Sequence, residues 1–411
     1  MVFRELAADR ESPLPKTKAA PDQEAPGGMY FSKSLGCWVV EGYAEAVAVM
    51  REPALEIPRL PLPAQLLSDE EKSALMRLWG QAENLPLYST GKAHQRLRRG
   101  LRDPFTRDAV DAWRPLIRRV ANELIEDFLA AGRIEVVEDV GRPLLRRVMA
   151  EVVGIPPRSR ADFDRWANAT VDVGKLATPE WSEHLLSDAT QALQSIDDLI
   201  HDVLSKPAEI PHGSVLAYAA ARQGETRCLS RREVVANARA LYTAGVHTTI
   251  FLIAAAAYLL FADDTILHEA RRDNDVLADV VQETLRFACP AVEVNIRRAT
   301  RNVTIGTHNI CRGHFVRTAV LPASRDPSQF RDPDIFDHHR RREGRTLAYG
   351  VGSHVCLGNH LATAIAEETC TALADPRYSA RLVAPYPEFR RRPALPVMWG
   401  PDWLHLQLGP L

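Results

Sequence analysis

Hydrophobic residues recur at helical spacing along most of the chain, which predicts a fold that is mainly α with a small β portion. The predicted helices cover residues 43–50, 93–101, 107–131, 142–153, 158–175, 181–204, 231–262 and 276–287. Alternation typical of strands is clearest at residues 36–40, 303–305, 315–321 and 404–408. Helix is therefore the predicted conformation of most of the chain.

The pattern contains no boundary that would divide the chain. No Pro-, Gly- or Ser-rich linker lies in its middle, so we expect a single domain over residues 1–411. Residues 1–28, rich in Pro, Ala and charge, are expected to form a loosely ordered leader. The longest apolar run, residues 250–262, is 13 residues long. Because a membrane span needs about 20, a buried core helix is predicted there.

Charge and cysteine content narrow the classes of partner and compartment. Lys and Arg number 51 against 53 Asp and Glu, a balance that gives no overall attraction to nucleic acid or an anionic membrane. The six cysteines lack the close pairing of a zinc site or a secreted disulfide framework. The N-terminus lacks the apolar stretch of a signal peptide. We therefore expect a cytoplasmic protein with no nucleic-acid or membrane partner.

A glycine-rich loop around Cys356 carries the clearest chemistry. Residues 349–358 read YGVGSHVCLG, and their three glycines let a backbone turn tightly and approach a flat cofactor. An apolar, helix-forming run follows at residues 361–373. A cysteine just before a helix N-terminus has its thiolate favoured by the helix dipole, and such a thiolate can ligate haem iron. From the residues alone, an incidental buried cysteine is an equally good interpretation.

This loop resembles the haem-binding signature of the cytochrome P450 family, F-G-x-G-x-H-x-C-x-G, with Tyr349 in place of the opening Phe. The resemblance implies the P450 fold, haem b (iron protoporphyrin IX) as cofactor, and Cys356 as the axial ligand of its iron. It also implies that Gly350 and Gly358 lie against the cofactor. His354 is implied to lie near a haem propionate.

Three further motifs follow in the family's order. His94 and Arg98, four residues apart, match H-x-x-x-R, and Arg297 matches the Arg of R-x-A-T. The resemblance implies that all three hold propionates, since buried carboxylates need cationic or donor partners. Glu283 and Arg286 match E-x-x-R, which implies a structural role tying their helix to the cysteine loop. Spacing alone would make them a solvated ion pair worth about 0.2–0.5 kcal/mol.

The long apolar helix contains the segment AGVHTT at residues 244–249, which resembles the family's A-G-x-(D/E)-T-T. The resemblance implies that Ala244, Gly245 and Thr248 belong to the catalytic set. A glycine inside a helix costs about 1 kcal/mol relative to alanine, and here it would leave room for dioxygen. Thr248 matches the hydroxyl that helps deliver protons during oxygen activation.

His247 stands where the family usually has an acid. The imidazole could replace the carboxylate as a proton relay, because it titrates near neutral pH. Weakened oxygen activation, with a peroxide or a pre-oxidised substrate, is a second interpretation. Coordination of the iron in a resting state is a third. The fourth interpretation is a histidine whose ring simply hydrogen-bonds to a neighbouring backbone carbonyl.

The residues before Arg297 are implied to line the substrate pocket. We expect Glu293 and Val294 there, with Leu241 and Phe389 as weaker candidates for pocket walls. A carboxylate near an apolar cavity is costly unless it meets a donor. We hypothesise that Glu293 accepts a hydrogen bond from a substrate N–H, amine or hydroxyl. Pairing with Arg297 or the arginine after it is the alternative.

A basic run at residues 338–345 precedes the cysteine loop. A charge run is usually a solvated surface, but in this family that surface lies on the cysteine side of the haem. With Arg96, Arg99 and Arg102 it is expected to steer an acidic ferredoxin. A metal site built on the two histidines of this run is not expected.

These observations together predict a haem-thiolate oxidoreductase that oxidises a small organic molecule of specialised metabolism. Ferredoxin and ferredoxin reductase are the expected electron donors to its O₂ chemistry. Oxidative coupling, cyclisation or group transfer without net hydroxylation is the alternative reaction, supported by His247. A haem sensor without turnover is a further alternative. Thr363 and Ile365, which replace the family's usual Arg and Glu, indicate a divergent branch.

Overall fold

A computed structural model describes residues 28–58, 82–172, 184–222, 229–340, 344–392 and 395–409 of the chain. The predicted leader lies outside the described residues, apart from Gly28. So do the last three residues of the helix predicted at 158–175 and the first three of the one predicted at 181–204.

The predicted class, mainly α with a small β portion, is confirmed. The α-helices of the described residues are α1 Tyr43–Arg51, α2 Gly91–Leu101, α3 Arg107–Asp111, α4 Arg114–Glu126, α5 Arg142–Val153, α6 Arg160–Asp172, α7 Leu185–Ser205, α8 Val215–Ala221, α9 Arg231–Phe261, α10 Asp264–Arg272, α11 Asn274–Phe287, α12 Val320–Ala323 and α13 Asn359–Ala374. A π-helical turn at Val136–Gly141 leads into α5.

The strands form four small sheets. They are β1 Met29–Ser32, β2 Cys37–Val40, β3 Leu55–Glu56, β4 Arg133–Glu135, β5 Glu293–Ala299, β6 Val303–Ile305, β7 His308–Ile310, β8 Phe315–Ala319, β9 Arg381–Leu382, β10 Phe389–Arg392, β11 Leu395–Pro401 and β12 His405–Gln407. The main sheet has the order β1-β2-β8-β5-β3, with β2 and β8 parallel and the other pairs antiparallel. The others are the pairs β6–β7 and β10–β11 and the triplet β4-β12-β9.

Helix α9 forms the centre of the core. It begins with a capping box, in which the Ser230 hydroxyl accepts from the Glu233 N–H and the Glu233 carboxylate accepts from the Ser230 N–H. By length and composition α9 could cross a membrane, yet 78% of its most apolar window is buried inside the protein. The predicted buried core helix is therefore confirmed. Helices α5, α11 and α13 pack around it.

Two predicted elements differ from the structure for local reasons. The helix predicted at residues 107–131 is two helices, because Pro115 lies in the first turn of α4 and cannot donate a hydrogen bond to the preceding turn. The strand predicted at residues 315–321 ends at Ala319, where the short helix α12 begins. Several elements were not predicted, among them helix α10 and strand β5. The first is short, and the second has no clean alternation of apolar and polar residues.

Candidate functional site

The cysteine loop leads from the basic run to helix α13. The Cys356 N–H donates to the Tyr349 carbonyl at 2.8 Å, which closes the loop. Gly350 has φ +67° and Gly352 has φ +81°, left-handed conformations that favour glycine. A Cβ on Gly352 would also lie 3.1 Å from the Met50 carbonyl, so this turn sits close against α1.

The Cys356 thiol opens into the interior of the protein. Its side chain is accessible to solvent. Burial nevertheless raises the pKa of the thiol, against the opposing effects of the Gly358 N–H and of Arg98. Both observations hold if the sulfur faces an internal space. A cation bound there would deprotonate the thiol, since metal coordination outweighs desolvation of the thiolate.

One face of α9 opens to an internal space as well. Ala244 and Thr248 are exposed in the middle of a helix whose neighbouring residues are mostly buried, and Leu241 and Gly245 are half-buried. These four positions follow the spacing i, i+3, i+4, i+7 and therefore share one helical face. Helix α9 also packs against α13, which begins directly after the cysteine loop, so the helix with this accessible face adjoins the helix that follows the loop.

Gly245 lies close to the side chain of a neighbouring helix, a contact that the sequence did not predict. A Cβ built there would lie 2.5 Å from Cε and 2.6 Å from Sδ of Met149. The missing side chain thus lets α5 approach α9 closely, and Met149 is itself buried. Contact with the flexible end of Met149 is therefore one reason for a glycine here, beside the room for dioxygen that the resemblance implies.

Four basic side chains gather beside the cysteine loop. The rings of His94 and His354 have centroids 4.4 Å apart. Burial, together with the charges of His94, Arg297 and Arg98, lowers the pKa of His354 to about 4. Burial and Arg98 also lower the pKa of His94. Such mutual repulsion predicts that this cluster binds an anion.

Two buried atoms of the cluster have no hydrogen-bond partner among the described residues. They are Nε2 of His94 and Nε of Arg297, although Nη1 of Arg297 donates to the Leu55 carbonyl at 2.8 Å. A buried donor without a partner costs free energy, so a ligand with acceptor groups is expected at this point. Carboxylates are the acceptors that basic donors bind most strongly.

Gly358 gives a separate test of whether a flat group fits here. Its φ of −87° is ordinary for any residue, and a Cβ built on it would meet no protein atom within 4 Å. Neither strain nor crowding within the protein therefore requires a glycine. A flat cofactor against the loop would require it. The residues present thus fit a planar group bearing acidic substituents, with a thiolate ligand beneath it.

His247 points toward α6. Its Nε2 lies 2.9 Å from Oδ1 of Asn168, whose Nδ2 donates to the Asp164 carbonyl at 2.8 Å. Because Asn168 presents its oxygen, Nε2 carries the proton and Nδ1 is the acceptor of the neutral ring. Burial, followed by the charge of Arg142, lowers the pKa of His247. The bonding partner is thus a side chain on a neighbouring helix, not a backbone carbonyl.

Glu293 forms ion pairs through its carboxylate with arginines other than the two that were expected. Its carboxylate lies 2.5 Å from Nη2 of Arg317 and 3.1 Å from Nη1 of Arg391, and its side chain is 13% exposed. The alternative of an ion pair was right in kind and wrong in its partners, since β5 pairs with β8 and brings Arg317 alongside. The two guanidinium groups thus supply the donors that a carboxylate in an apolar setting needs.

The other predicted pocket residues lie on three different elements. Val294 is half-buried on β5, and Leu241 lies on the accessible face of α9. Phe389 packs against the rings of Tyr258 and Trp399, with centroids 5.6 and 4.9 Å away. Tyr258 lies ten residues beyond Thr248, about 15 Å along the helix. Phe389 is therefore a packing residue at the far end of α9.

Glu283 and Arg286 form a buried ion pair, with side chains only 5% and 4% exposed. Arg286 uses all five of its N–H groups: two bonds go to Glu283, and the others go to the carbonyls of Ser324, Pro333 and Ile335. The pair thus fixes the segment that precedes the cysteine loop. None of these bonds reaches the loop itself. The solvated pair that spacing alone suggested is wrong.

Two departures from the family pattern contact each other. Oη of Tyr349 lies 2.9 Å from Oγ1 of Thr363. Burial raises the pKa of Tyr349, so its phenol remains protonated. The hydroxyl gained at one position therefore has its partner at the other, 14 residues later on α13. Sequence reasoning noted both substitutions and did not connect them.

A groove of about 770 Å³ lies beside the start of the cysteine loop and helix α13. Its walls come from α3, α4, α11 and α13 and from the segment between α12 and the loop. Tyr349 and Thr363 are among its lining residues, as are Arg286 and Arg345. The groove is thus separate from the accessible face of α9.

The expected basic surface is smaller than the sequence suggested. The side chain of Arg340 is 8% exposed, and its Nε lies 3.2 Å from Glu283, so it is a structural residue. Arg96 donates to the Glu233 carboxylate, with Nη1 at 3.0 Å.

Three arginines of this surface are exposed among the described residues. They are Arg99, Arg102 and Arg345. Residues 341–343 of the basic run lie outside the described part of the chain.

Known proteins share this architecture. The profile of the family described as Cytochrome P450 matches residues 176–373. The chain is 29% identical over 341 residues to 6-deoxyerythronolide B hydroxylase of Saccharopolyspora erythraea, which covers 82% of this chain and 81% of the relative. It is 33% identical over 260 residues to cyclomarin C epoxidase CymV of Salinispora arenicola, covering 63% of this chain and 64% of the relative.

A solved structure supports the same relationship. P450BioI, in complex with acyl carrier protein ligated to hexadec-9Z-enoic acid, superimposes with a TM-score of 0.79 at 25% identity, covering 93% of this chain and 95% of that one. The profile match includes both the accessible face of α9 and the cysteine loop. From sequence, fold and these relatives, the chain belongs to the cytochrome P450 family of haem-dependent oxidoreductases.

Proposed function

We propose that this protein is a haem b monooxygenase that oxidises a small organic molecule of specialised metabolism, using O₂ and electrons from a ferredoxin and its reductase. One observation carries the proposal. It is the cluster of His94, Arg98, Arg297 and His354 beside the loop that carries Cys356, in which buried atoms of His94 and Arg297 have no partner among the described residues. We further propose that residues 1–411 form a single domain and that the protein is cytoplasmic.

The cofactor's contacts follow from the cluster. The Cys356 thiolate would bind the haem iron, while His94, Arg98, Arg297 and His354 would bind the two propionates of protoporphyrin IX. Haem bound there supplies dioxygen activation, to which the thiolate contributes electron density. Binding a carboxylate would raise the pKa of His354 from its low value, because an opposite charge favours the protonated imidazole.

Thr248 is the residue placed to handle protons on the α9 side. Its hydroxyl donates to the Ala244 carbonyl at 2.8 Å, one helical turn earlier. With the hydroxyl proton directed into the helix, the oxygen lone pairs can accept a hydrogen bond from a water molecule on the accessible face. Thr248 would thus hold a water at a fixed position and pass protons along it.

His247 would deliver protons to that water from the far side of the helix. Asn168 fixes Nε2 as the protonated nitrogen, which leaves Nδ1 to accept a proton. The lowered pKa keeps the ring neutral at pH 7, so the imidazole releases an accepted proton readily. Coordination of iron by Nε2 is disfavoured, because Asn168 occupies that nitrogen.

The relatives support the substrate class. By name they include 6-deoxyerythronolide B hydroxylase, cyclomarin C epoxidase and a polyketide biosynthesis cytochrome P450, PksS, of Bacillus subtilis. The half-buried Leu241 and Val294 would supply apolar contact to such a molecule, and the paired Glu293 would shape the wall.

The exposed Arg99, Arg102 and Arg345 support an acidic electron donor. The test is the rate at which a reduced ferredoxin reduces the haem-loaded protein under carbon monoxide. We expect Arg99→Glu and Arg102→Glu to slow reduction at low salt and to matter little at 0.5 M salt, where charges are screened. An unchanged rate at low salt would contradict the proposed partner.

A second reaction, oxidation without net oxygen insertion, is favoured by one observation. The usual acid is a histidine held neutral by burial and bonded to Asn168. Turnover under ¹⁸O₂, with 6-deoxyerythronolide B as the first probe and then other macrolactones, separates the two. One labelled oxygen in each product molecule supports monooxygenation, and an oxidised product without label supports the second reaction.

A further inference from the structure

Two consecutive histidines converge on one carboxylate away from the haem site. Nε2 of His338 lies 2.8 Å from Oε2 of Glu269, and Nε2 of His339 lies 3.2 Å from the same oxygen. The two imidazole rings have centroids 3.9 Å apart and are tilted by 39°. One ligand atom from each of the three residues lies within 4.8 Å of the other two.

These separations match the edges of a metal coordination sphere. With metal–ligand bonds of about 2.0–2.1 Å, neighbouring ligands of a tetrahedral zinc ion lie about 3.3 Å apart. The two Nε2–Oε2 distances, 2.8 and 3.2 Å, are close to that value. Two imidazoles and one carboxylate favour zinc and similar transition metals over magnesium or calcium, which prefer oxygen ligands alone.

The ligands are held by rigid surroundings. The His339 N–H donates to the Asp337 carboxylate at 3.0 Å, and the Asp337 N–H donates to the buried Glu283 at 3.1 Å. Glu269 lies on α10, which is tied to the end of α13 by Arg271 through its bond to the Ala374 carbonyl at 3.0 Å. Little conformational entropy would therefore be lost when a cation binds.

The site is reachable from solvent and offers one carboxylate and two imidazoles as ligands. His338 is 9% exposed, Glu269 36% and His339 65%. His338 also lines the groove of about 770 Å³, so a ligand held here would fix part of the groove's wall.

We propose that Glu269, His338 and His339 bind one zinc-class divalent cation, with water completing the coordination sphere. The cation links α10 to the segment that follows Asp337. Binding replaces the hydrogen bonds between the imidazoles and the carboxylate and releases any proton that the imidazoles carry.

The test is calorimetric titration of the haem-loaded protein with zinc chloride at pH 7.5. We expect one equivalent to bind, and His339→Ala and Glu269→Gln each to weaken that binding at least tenfold. His212→Ala, which removes an exposed histidine elsewhere, is the matched control and should leave it unchanged. Magnesium chloride should give no binding.

Two further readouts separate metal binding from an ordinary ion pair. Zinc at about a hundredfold excess over Kd should raise the melting temperature by about 3 °C in the wild type and not in His339→Ala. Affinity should fall from pH 7.5 to pH 5.5 as the imidazoles take up protons. No zinc binding, or zinc binding that survives both substitutions, as it would if the exposed Cys311 were the ligand, would overturn the proposal.

Discussion

The two sides of the haem site are stabilised in different ways. On the cysteine side, Glu283 and Arg286 are almost fully buried, and every N–H of the guanidinium is bonded. On the α9 side, His247 depends on the single side chain of Asn168, and Thr248 bonds only within its own helix among the contacts of the described residues.

The difference separates structure from reaction chemistry. The cysteine side keeps the family's pattern where several bonds converge, because losing one partner there would leave buried charge unpaired. The α9 side departs from the pattern at His247, where one hydrogen bond on the helix surface can be exchanged for another. We therefore expect substitutions on the cysteine side to change stability and those near His247 to change proton delivery.

The largest effect is expected from Arg286→Ala. Removing the guanidinium leaves the buried Glu283 carboxylate with only Arg340 as a cationic partner among the described residues. It also takes the donor away from the Ser324 and Pro333 carbonyls, and together these losses should cost about 3–5 kcal/mol of unfolding free energy and reduce haem retention. Arg286→Lys should recover only part, since an ammonium has three donors instead of five. Urea unfolding and the haem-to-protein absorbance ratio measure both.

Arg331→Ala is the matched control, because that side chain is 87% exposed. It should change the unfolding free energy by at most about 0.5 kcal/mol. Equal effects of the two substitutions would remove the distinction between the buried network and the surface.

A second prediction concerns proton delivery through His247. Asn168→Asp places a carboxylate beside Nε2, which should raise the pKa of His247 because an opposite charge favours the protonated ring. The variant should then divert electrons to hydrogen peroxide with a pH dependence between 6 and 8. The wild type, whose His247 pKa is lowered, should lack that dependence in this range.

The control for this prediction is stability. The hydrogen bond between His247 and Asn168 is single and partly exposed, so Asn168→Asp should leave the melting temperature within a few degrees of the wild type. An unaltered pH profile, combined with unaltered stability, would mean that His247 takes no part in proton delivery.

Local signals in the sequence predicted much of this molecule. The apolar run within α9 predicted a buried core helix, and the glycines around Cys356 predicted a tight loop before a helix. Both depend on residues close together in the chain. The breaks around Pro115 and at Ala319 show that boundaries depend on turn geometry that hydrophobic periodicity does not encode.

Pairings between distant segments could not be predicted in the same way. Asn168 precedes His247 by 79 residues, and Glu269 precedes His338 by 69. Arg317 reaches Glu293 only because β8 lies beside β5. Each contact depends on how helices and strands pack, which one sequence does not reveal.

The smallest effect is expected from the hydroxyl pair of Tyr349 and Thr363. Tyr349→Phe and Thr363→Val should each cost about 0.5–1.5 kcal/mol, because each leaves one hydroxyl of the pair without its partner. The double variant should cost less than the sum, since no hydroxyl is then unpaired. Urea unfolding of all four proteins gives the coupling energy, and strict additivity would show that the contact has no energetic value.

The central claim is that Cys356 supplies a thiolate to haem iron. It is tested most directly by the absorption spectrum of the dithionite-reduced, carbon-monoxide-bound protein, recorded beside that of Cys356→Ser. We expect the strongly red-shifted Soret band typical of the family in the wild type and its loss in the variant. A globin-like band in freshly prepared wild-type protein, or a red-shifted band that survives in Cys356→Ser, would contradict the account.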